Sequence, residues 1–444
     1  MIYQTLRPVL ALLFAIAFLL MGNGLQTTLI PIRADLERFD ALALGILGSS
    51  YYLGFVAGCL GGPYLILRAG HIRAFLALVS VASAAALAHP LVIAAPAWFL
   101  FRAITGFCLA GLYLVIESWL NERATNENRG FVLSSYIVVN FAVITAGQMM
   151  VTLYPPAEFA PFALASILVS LAAVPVAVSR SGEPAPIALV SFRPRELYRA
   201  SPVGLVGVFL IGISNGAFWM LAAVYGVRSG FSVAEAASFM SIAVVGGALF
   251  QWPIGRLSDR HDRRAVLVGT MFAATVFGLA LASVPLPMPA AFLIVFLFGG
   301  FSLTGYSLAA AHAYDSADPA HYVGTSAGLL LANGFGSVVG PLFAALVMRG
   351  TGPSGLFITT AIAQTLLIVF ALYRMGRRVA LPTEEKTGFD IAATAPVGAV
   401  ITPEPLEEAD PLVVTPEAAD EPVAIGLMET IDTGSGEEGR AAPE

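Results

Sequence analysis

Charge is what this sequence has least of. Only 12 % of its 444 residues are Asp, Glu, Lys or Arg, 57 % are hydrophobic, and mean hydropathy is +0.81. A water-soluble chain of that length cannot cover so much apolar surface. Cysteine is scarce too. Cys59 and Cys108 lie far apart inside apolar runs, which excludes a disulfide framework or a cysteine-built metal site. No phosphate-binding Gly-x-x-x-x-Gly-Lys, metal-ligand spacing or nucleophile elbow occurs. Nothing therefore points to a nucleotide-driven pump, a cofactor, a metal or a nucleic-acid partner. No nucleophile–base pair lies at one depth, which argues against an enzyme.

The little charge present is unevenly spread. From Glu384 onward there are 15 acids and two bases, Lys386 and Arg440; residues 1–383 carry 14 acids and 21 bases. A mildly basic body thus precedes a strongly acidic tail. The tail, 376–444, has Pro, Glu, Ala and Thr and no spanning run. Segments such as Pro403–Asp410 cannot bury a core, so a disordered, solvated tail without a specific task is expected, with a regulatory or docking role as the alternative.

What fills the rest is a series of apolar runs. Twelve can be marked, roughly 8–30, 43–66, 73–90, 94–120, 131–153, 160–179, 203–224, 234–256, 265–284, 288–311, 323–348 and 354–374. Each is long enough to cross about 30 Å of hydrocarbon as a helix, which satisfies its own backbone. The first run is too long for a signal peptide and lacks a cleavage site, so it reads as a retained helix. The predicted fold is all-α and polytopic. Placing both termini in the cytoplasm puts eighteen bases on the inner side. Only Arg33, Arg38, Arg228 and Arg349 fall outside, and Arg102 is left within the membrane.

Residues 255–264, Gly-Arg-Leu-Ser-Asp-Arg-His-Asp-Arg-Arg, carry six charges between two such runs. That cluster cannot lie in hydrocarbon, so it is a hairpin between two helices. Gly255 permits close helix approach. Asp259, one turn on, faces Arg260, Arg263 or Arg264 or neighbouring N–H groups.

The chain also repeats itself. Asn23-Gly24 recurs as Asn215-Gly216, and Ser49 and Gly54 as Ser241 and Gly246, all 192 residues on. Asn140 and Gly147 fall on Asn333 and Gly340 at 193. A nearly constant offset through several helices implies two six-helix halves in parallel repeat. The expected domains are a bundle at 1–179, a linker at 180–202, a second bundle at 203–375 and the acidic tail at 376–444.

The hairpin resembles the loop signature of the major facilitator superfamily, G-x-x-x-D-[RK]-x-G-[RK]-[RK]. Gly255, Asp259, Arg260, Arg263 and Arg264 match it, and Asp262 stands where the family usually has glycine. The first-half copy is degraded: Pro63 replaces the glycine and Leu67 the aspartate, leaving Arg68, Gly70, His71 and Arg73. Arg102-x-x-x-Gly106 resembles the family's second signature, whose arginine lines the central cavity and is often linked to proton coupling. Glu117-Ser-Trp-Leu-Asn, Asn126-Glu-Asn-Arg-Gly130 and Gln251–Asp259 resemble the bacterial YcaD-like branch, over roughly residues 5–375.

The resemblance implies a secondary transporter whose cavity is lined by helices one, four, seven and ten, with five and eleven contributing. Candidate cavity residues are Asn23, Gln26, Thr27, Arg102, Tyr113, Tyr136, Asn140, Asn215, Trp219 and Asn333. Amides in lipid need partners, and a substrate is one; interhelical hydrogen bonds are the other. Glu117 lies fifteen residues, about 22 Å, beyond Arg102. The family implies that an acid there pairs with Arg68 and Arg73 and latches an inner gate; proton carrying is the alternative. Asp259, Gly255, Arg260, Arg263 and Arg264 complete that gate, and His312 is a further proton-linked candidate. The expected function is proton-linked movement of a small organic solute across the bacterial inner membrane by a monomer, with export preferred. A lipid flippase or a non-transporting receptor on the same scaffold is the alternative.

Overall fold

The computed structural model describes residues 10–123, 129–178, 193–283, 286–317 and 322–377, together with Lys386 and Phe389 of the tail. Twelve helical passes run through it. The first six are α1 (Leu10–Leu36), α2 (Ala41–Ala69), α3 (His71–Leu91), α4 (Ala95–Arg123), α5 (Arg129–Met149) and α6 (Ala160–Leu171), the last continued by α7 (Ala173–Val178). A short helix, α8 (Pro194–Ala200), precedes the second six. These are α9 (Pro202–Arg228), α10 (Val233–Arg260), α11 (Arg263–Ser283), α12 (Met288–Tyr314), α13 (Tyr322–Thr351) and α14 (Gly355–Met375).

Local chemistry sets several boundaries. The Asp40 carboxylate accepts from the Ala43 N–H at 2.8 Å and starts α2. Ser232 and Glu235 form a reciprocal capping box that starts α10. Each cap contributes about 1 kcal/mol. Residues 324–375 are helical or nearly so for 52 positions and mostly apolar. As one helix they would reach about 78 Å, far beyond a bilayer. Gly352, at φ +72°, turns the chain back, so this stretch makes two passes. Asp262 replaces the family's glycine without a positive φ, because its carboxylate accepts from the Arg264 N–H at 2.9 Å and caps α11.

The repeat in the sequence is a repeat in space. Helix α1 crosses α5 so closely that a Cβ on Gly24 or Gly147 would collide with the Ile144 or Met21 carbonyl. At the corresponding offset α9 crosses α13, where a Cβ on Gly216 or Gly340 would strike Ser337 or the Ile213 carbonyl. The first six passes pack among themselves, and so do the second six. The two bundles meet through α2 with α13, α5 with α10, and α9 with α1 and α2. Large apolar side chains such as Phe14, Leu53, Phe272 and Leu293 stay exposed, as a lipid-facing surface requires.

The connections carry structure of their own. Of the linker at 180–202, residues 180–192 lie outside the described residues, and Pro194–Ala200 is a short helix with Leu197 buried in the second bundle. The tail from 376 is not wholly detached. Phe389, half-buried, packs against the apolar core of the second bundle. The remaining tail residues beyond Arg377 lie outside the described residues.

Candidate functional site

A central cavity of about 220 Å³ lies between the bundles. Asn23 and Thr27 from α1, Tyr113 from α4, Tyr136 and Asn140 from α5, Asn215 and Trp219 from α9 and Asn333 from α13 all line it. So do Tyr51, Tyr52, Phe55, Phe141, Gln251 and Ser337, none of which was expected from the sequence. No charged side chain lines it among the described residues. The wall is aromatic surface carrying amide and hydroxyl groups.

The polar groups differ in how they are held. A buried chain fixes Asn215: the Gln364 amide donates to Ser214 Oγ at 3.1 Å and Ser302 Oγ at 3.0 Å, and Ser302 donates to Asn215 Oδ1 at 3.1 Å. Asn333 donates to the Val208 carbonyl at 2.9 Å, and Gln251 to Ser307 Oγ at 3.0 Å. These partners orient the amides toward the cavity. Asn23 Oδ1 and Asn140 Oδ1 are buried acceptors with no partner among the described residues. An unpaired buried acceptor costs about 1–3 kcal/mol, which a donor on a bound solute would recover.

Two expected cavity residues sit elsewhere. Arg102 is 1 % exposed and absent from the lining. Its guanidinium lies 4.3 Å from the Tyr51 ring centroid, and Nη2 donates to Met220 Sδ at 3.5 Å. Tyr51 and Met220 both line the cavity, so Arg102 buttresses its wall from behind. Gln26 turns back on its own helix, toward the Gly22 carbonyl at 3.4 Å. The shared face predicted for Asn23, Gln26 and Thr27 therefore holds for Asn23 and Thr27 alone.

Glu117 has a partner on that wall. Its carboxylate accepts from the Tyr136 hydroxyl at 3.1 Å, and Tyr136 lines the cavity. Glu117 is 6 % exposed, whereas Arg68 and Arg73 are exposed. In this conformation Glu117 meets the cavity wall through Tyr136.

The hairpin residues form one charged cluster at the arginine-rich face. Arg263, 1 % exposed at its side chain, meets Asp315 at 2.6 Å and Asp259 at 3.2 Å and donates to Ser258 Oγ at 3.0 Å. Arg264 pairs with Asp262 at 2.9 Å. Burial pushes the Asp262 carboxyl up, but hydrogen bonds and charge from Arg264 outweigh it and hold the group below its usual range. Arg260 is exposed. His312 lines a polar hollow of about 630 Å³ with Arg263, Arg264, Asp262 and Asp315. Asp318 and His321, in the loop that follows α12, lie outside the described residues.

The opposite, arginine-poor face is where the bundles are tied together. Asp35 Oδ1 accepts from Arg228 Nη2 at 2.6 Å and Nε at 2.9 Å, joining the end of α1 to the end of α9. Ser241 donates to Gln148 Oε1 at 3.1 Å, and Ser49 to the Val338 carbonyl at 2.6 Å. A Cβ on Gly45 would strike Ala345, so α2 and α13 are in close contact at this end.

Comparison with known proteins agrees with this architecture. The family model of the Major Facilitator Superfamily matches residues 12–332 and 204–416. The uncharacterized MFS-type transporter YcaD of Escherichia coli O7:K1 (strain IAI39 / ExPEC) is 27 % identical over 372 residues, 83 % of this chain and 96 % of the relative. An uncharacterized MFS-type transporter of Enterobacter sp. (strain 638) is 28 % identical over 373 residues, with the same coverage. Among solved structures, the nucleoside transporter NupG superposes with a TM-score of 0.66 at 16 % identity, covering 82 % of this chain and 97 % of that one. A bacterial homolog to the human lysosomal transporter Spinster, inward-facing and occupied, gives 0.66 at 14 % identity over 85 % and 97 %. With matched helices on both halves and this spread of the family model, the chain belongs to the Major Facilitator Superfamily.

Proposed function

We propose that this chain is a secondary transporter that carries a small uncharged organic solute across the bacterial inner membrane by alternating access. Its working parts on this reading are a bundle at 1–179 and one at 203–375, rocking about the central cavity as a monomer. The arginine-rich face, with both termini, lies in the cytoplasm. The cross-bundle ties at the other face make the present conformation closed to the outside.

The observation that carries the substrate class is the lining. Its rings, amides and hydroxyls are uncharged, and Asn23 Oδ1 and Asn140 Oδ1 await donors. A charged solute would lose its hydration without a counter-ion. A neutral ring-bearing solute stacks on Trp219 or the tyrosines and donates to those acceptors. Glu117 is the group we assign to proton movement. It is buried one hydrogen bond from the cavity, so its hydration changes as the cavity opens to one face or the other.

Reconstitution in vesicles tests this. Flux of uncharged aromatic solutes with N–H or O–H donors is expected under an imposed proton gradient, with charged analogues excluded. Asn23→Ala and Asn140→Ala should each raise the half-saturation concentration roughly fivefold, the effect of one lost hydrogen bond. Equal movement of charged and neutral analogues, with half-saturation unchanged in both variants, would contradict the reading.

A further inference from the structure

The hairpin seat Gly255–Asp259 is occupied by the chain's own tail. The Phe389 ring lies against Gly255, where any Cβ would collide with it. The Phe389 N–H donates to Asp259 Oδ1 at 3.0 Å. The Lys386 ammonium donates to the His261 carbonyl at 2.6 Å and lines the polar hollow beside Asp262 and Asp315. Lys386 is the only lysine in the chain. Three contacts, one apolar and two hydrogen bonds, thus fit two tail residues to three successive parts of the hairpin.

The same seat has a second potential occupant. Helices α5 and α10 run antiparallel and touch at Gln148 and Ser241. Eighteen residues from Ser241 along α10 is Asp259; eighteen from Gln148 along α5 is Gly130, in its first turn. Both steps cover about 27 Å. If that register is kept as the bundles close at the arginine-rich face, Asp259 arrives opposite the start of α5. Helix starts carry unpaired N–H groups and a partial positive charge, for which a carboxylate is a suitable acceptor. Gly255 would meanwhile admit the flank of α5.

We propose that Lys386 and Phe389 form an autoinhibitory strap that competes with the start of α5 for Gly255 and Asp259. While docked, the tail holds the arginine-rich face open; its release permits closure. The strap rests on the alternating-access reading and adds regulation to it. It also assigns a task to a tail whose composition gave none.

Spin labels at Leu67→Cys and Leu257→Cys, both exposed and on opposite bundles, report closure of this face in a Cys59→Ser, Cys108→Ser chain. The full chain is expected to show mainly the long distance. Phe389→Asp, and a chain ended at Arg377, should each raise the short-distance population about tenfold, as loss of a half-buried ring implies. A synthetic peptide of residues 382–394 should restore the long distance in the shortened chain. The control is Asp35→Ala, which frees the opposite face and should favour closure whether or not the tail docks. Unchanged distances in either tail variant, with a response to Asp35→Ala, overturn the strap. No response to Asp35→Ala either overturns alternating access and the strap with it.

Discussion

The ion pair between Asp35 and Arg228 offers the sharpest quantitative handle on the bundle interface. It joins the ends of α1 and α9 across the two bundles, with both Arg228 nitrogens on one carboxylate oxygen. The side chains are 18 % and 31 % exposed, so solvent screens the pair only in part. A partly exposed pair of good geometry is worth roughly 0.5–1 kcal/mol. Removing it with Asp35→Asn should therefore raise the population open at that face two- to fivefold. The effect should shrink as salt rises from about 0.01 to 1 M, where screening shortens from about 30 to 3 Å. Paired spin labels on the two arginine-poor ends read the population directly. The exchange Asp35→Arg with Arg228→Asp should restore the original distribution. An exchange that restores nothing would refute the claim that this charge pair is the tie. So would a shift above about thirtyfold, which exceeds what such a pair can supply.

Further outcomes follow from the same geometry. Glu117→Gln should keep the Tyr136 contact yet abolish gradient-driven accumulation while leaving solute exchange measurable; retention of accumulation in vesicles would remove Glu117 from proton movement. Asp262 has its carboxyl held below the usual range. Its stabilising contribution is therefore present above the unfolded value near 3.9 and lost as pH falls through the lower folded value. Asp262→Ala should lower the melting temperature by the same small amount at every pH from 5 to 8, through a lost α11 cap worth about 1 kcal/mol. A deficit that grew across that range would contradict the assignment.

How much of this was legible in the sequence depends on what physical constraint each feature answers to. Lipid admits helices of about twenty residues and little else, so the passes were readable from apolar length. The Asn-Gly pairs at 23 and 215 and the glycines at 147 and 340 were readable as a repeat, because close helix crossings tolerate few other residues. Asn140, Asn215 and Asn333 stood out as amides inside apolar runs. Tyr51, Tyr52 and Phe55 did not, because an aromatic ring in such a run suits lipid, core and cavity alike. The depth of Arg102 was readable, but not that Tyr51 would stand between it and the cavity. The Glu117 partner was chosen by packing: Tyr136 reaches it and the exposed arginines stay away. Composition marked the tail as unable to build a core. Two residues suffice to dock on a core built by others, and composition carries no trace of that.

The most direct test of the whole account is two-sided labelling of a single cysteine at position 140, in a chain with Cys59 and Cys108 replaced by serine. A membrane-impermeant thiol reagent should modify it from the arginine-rich face and leave it protected from the other. Asp35→Asn should raise labelling from the protected side. Labelling only through the lipid, or equal labelling from both faces at once, would contradict a cavity that alternates between them.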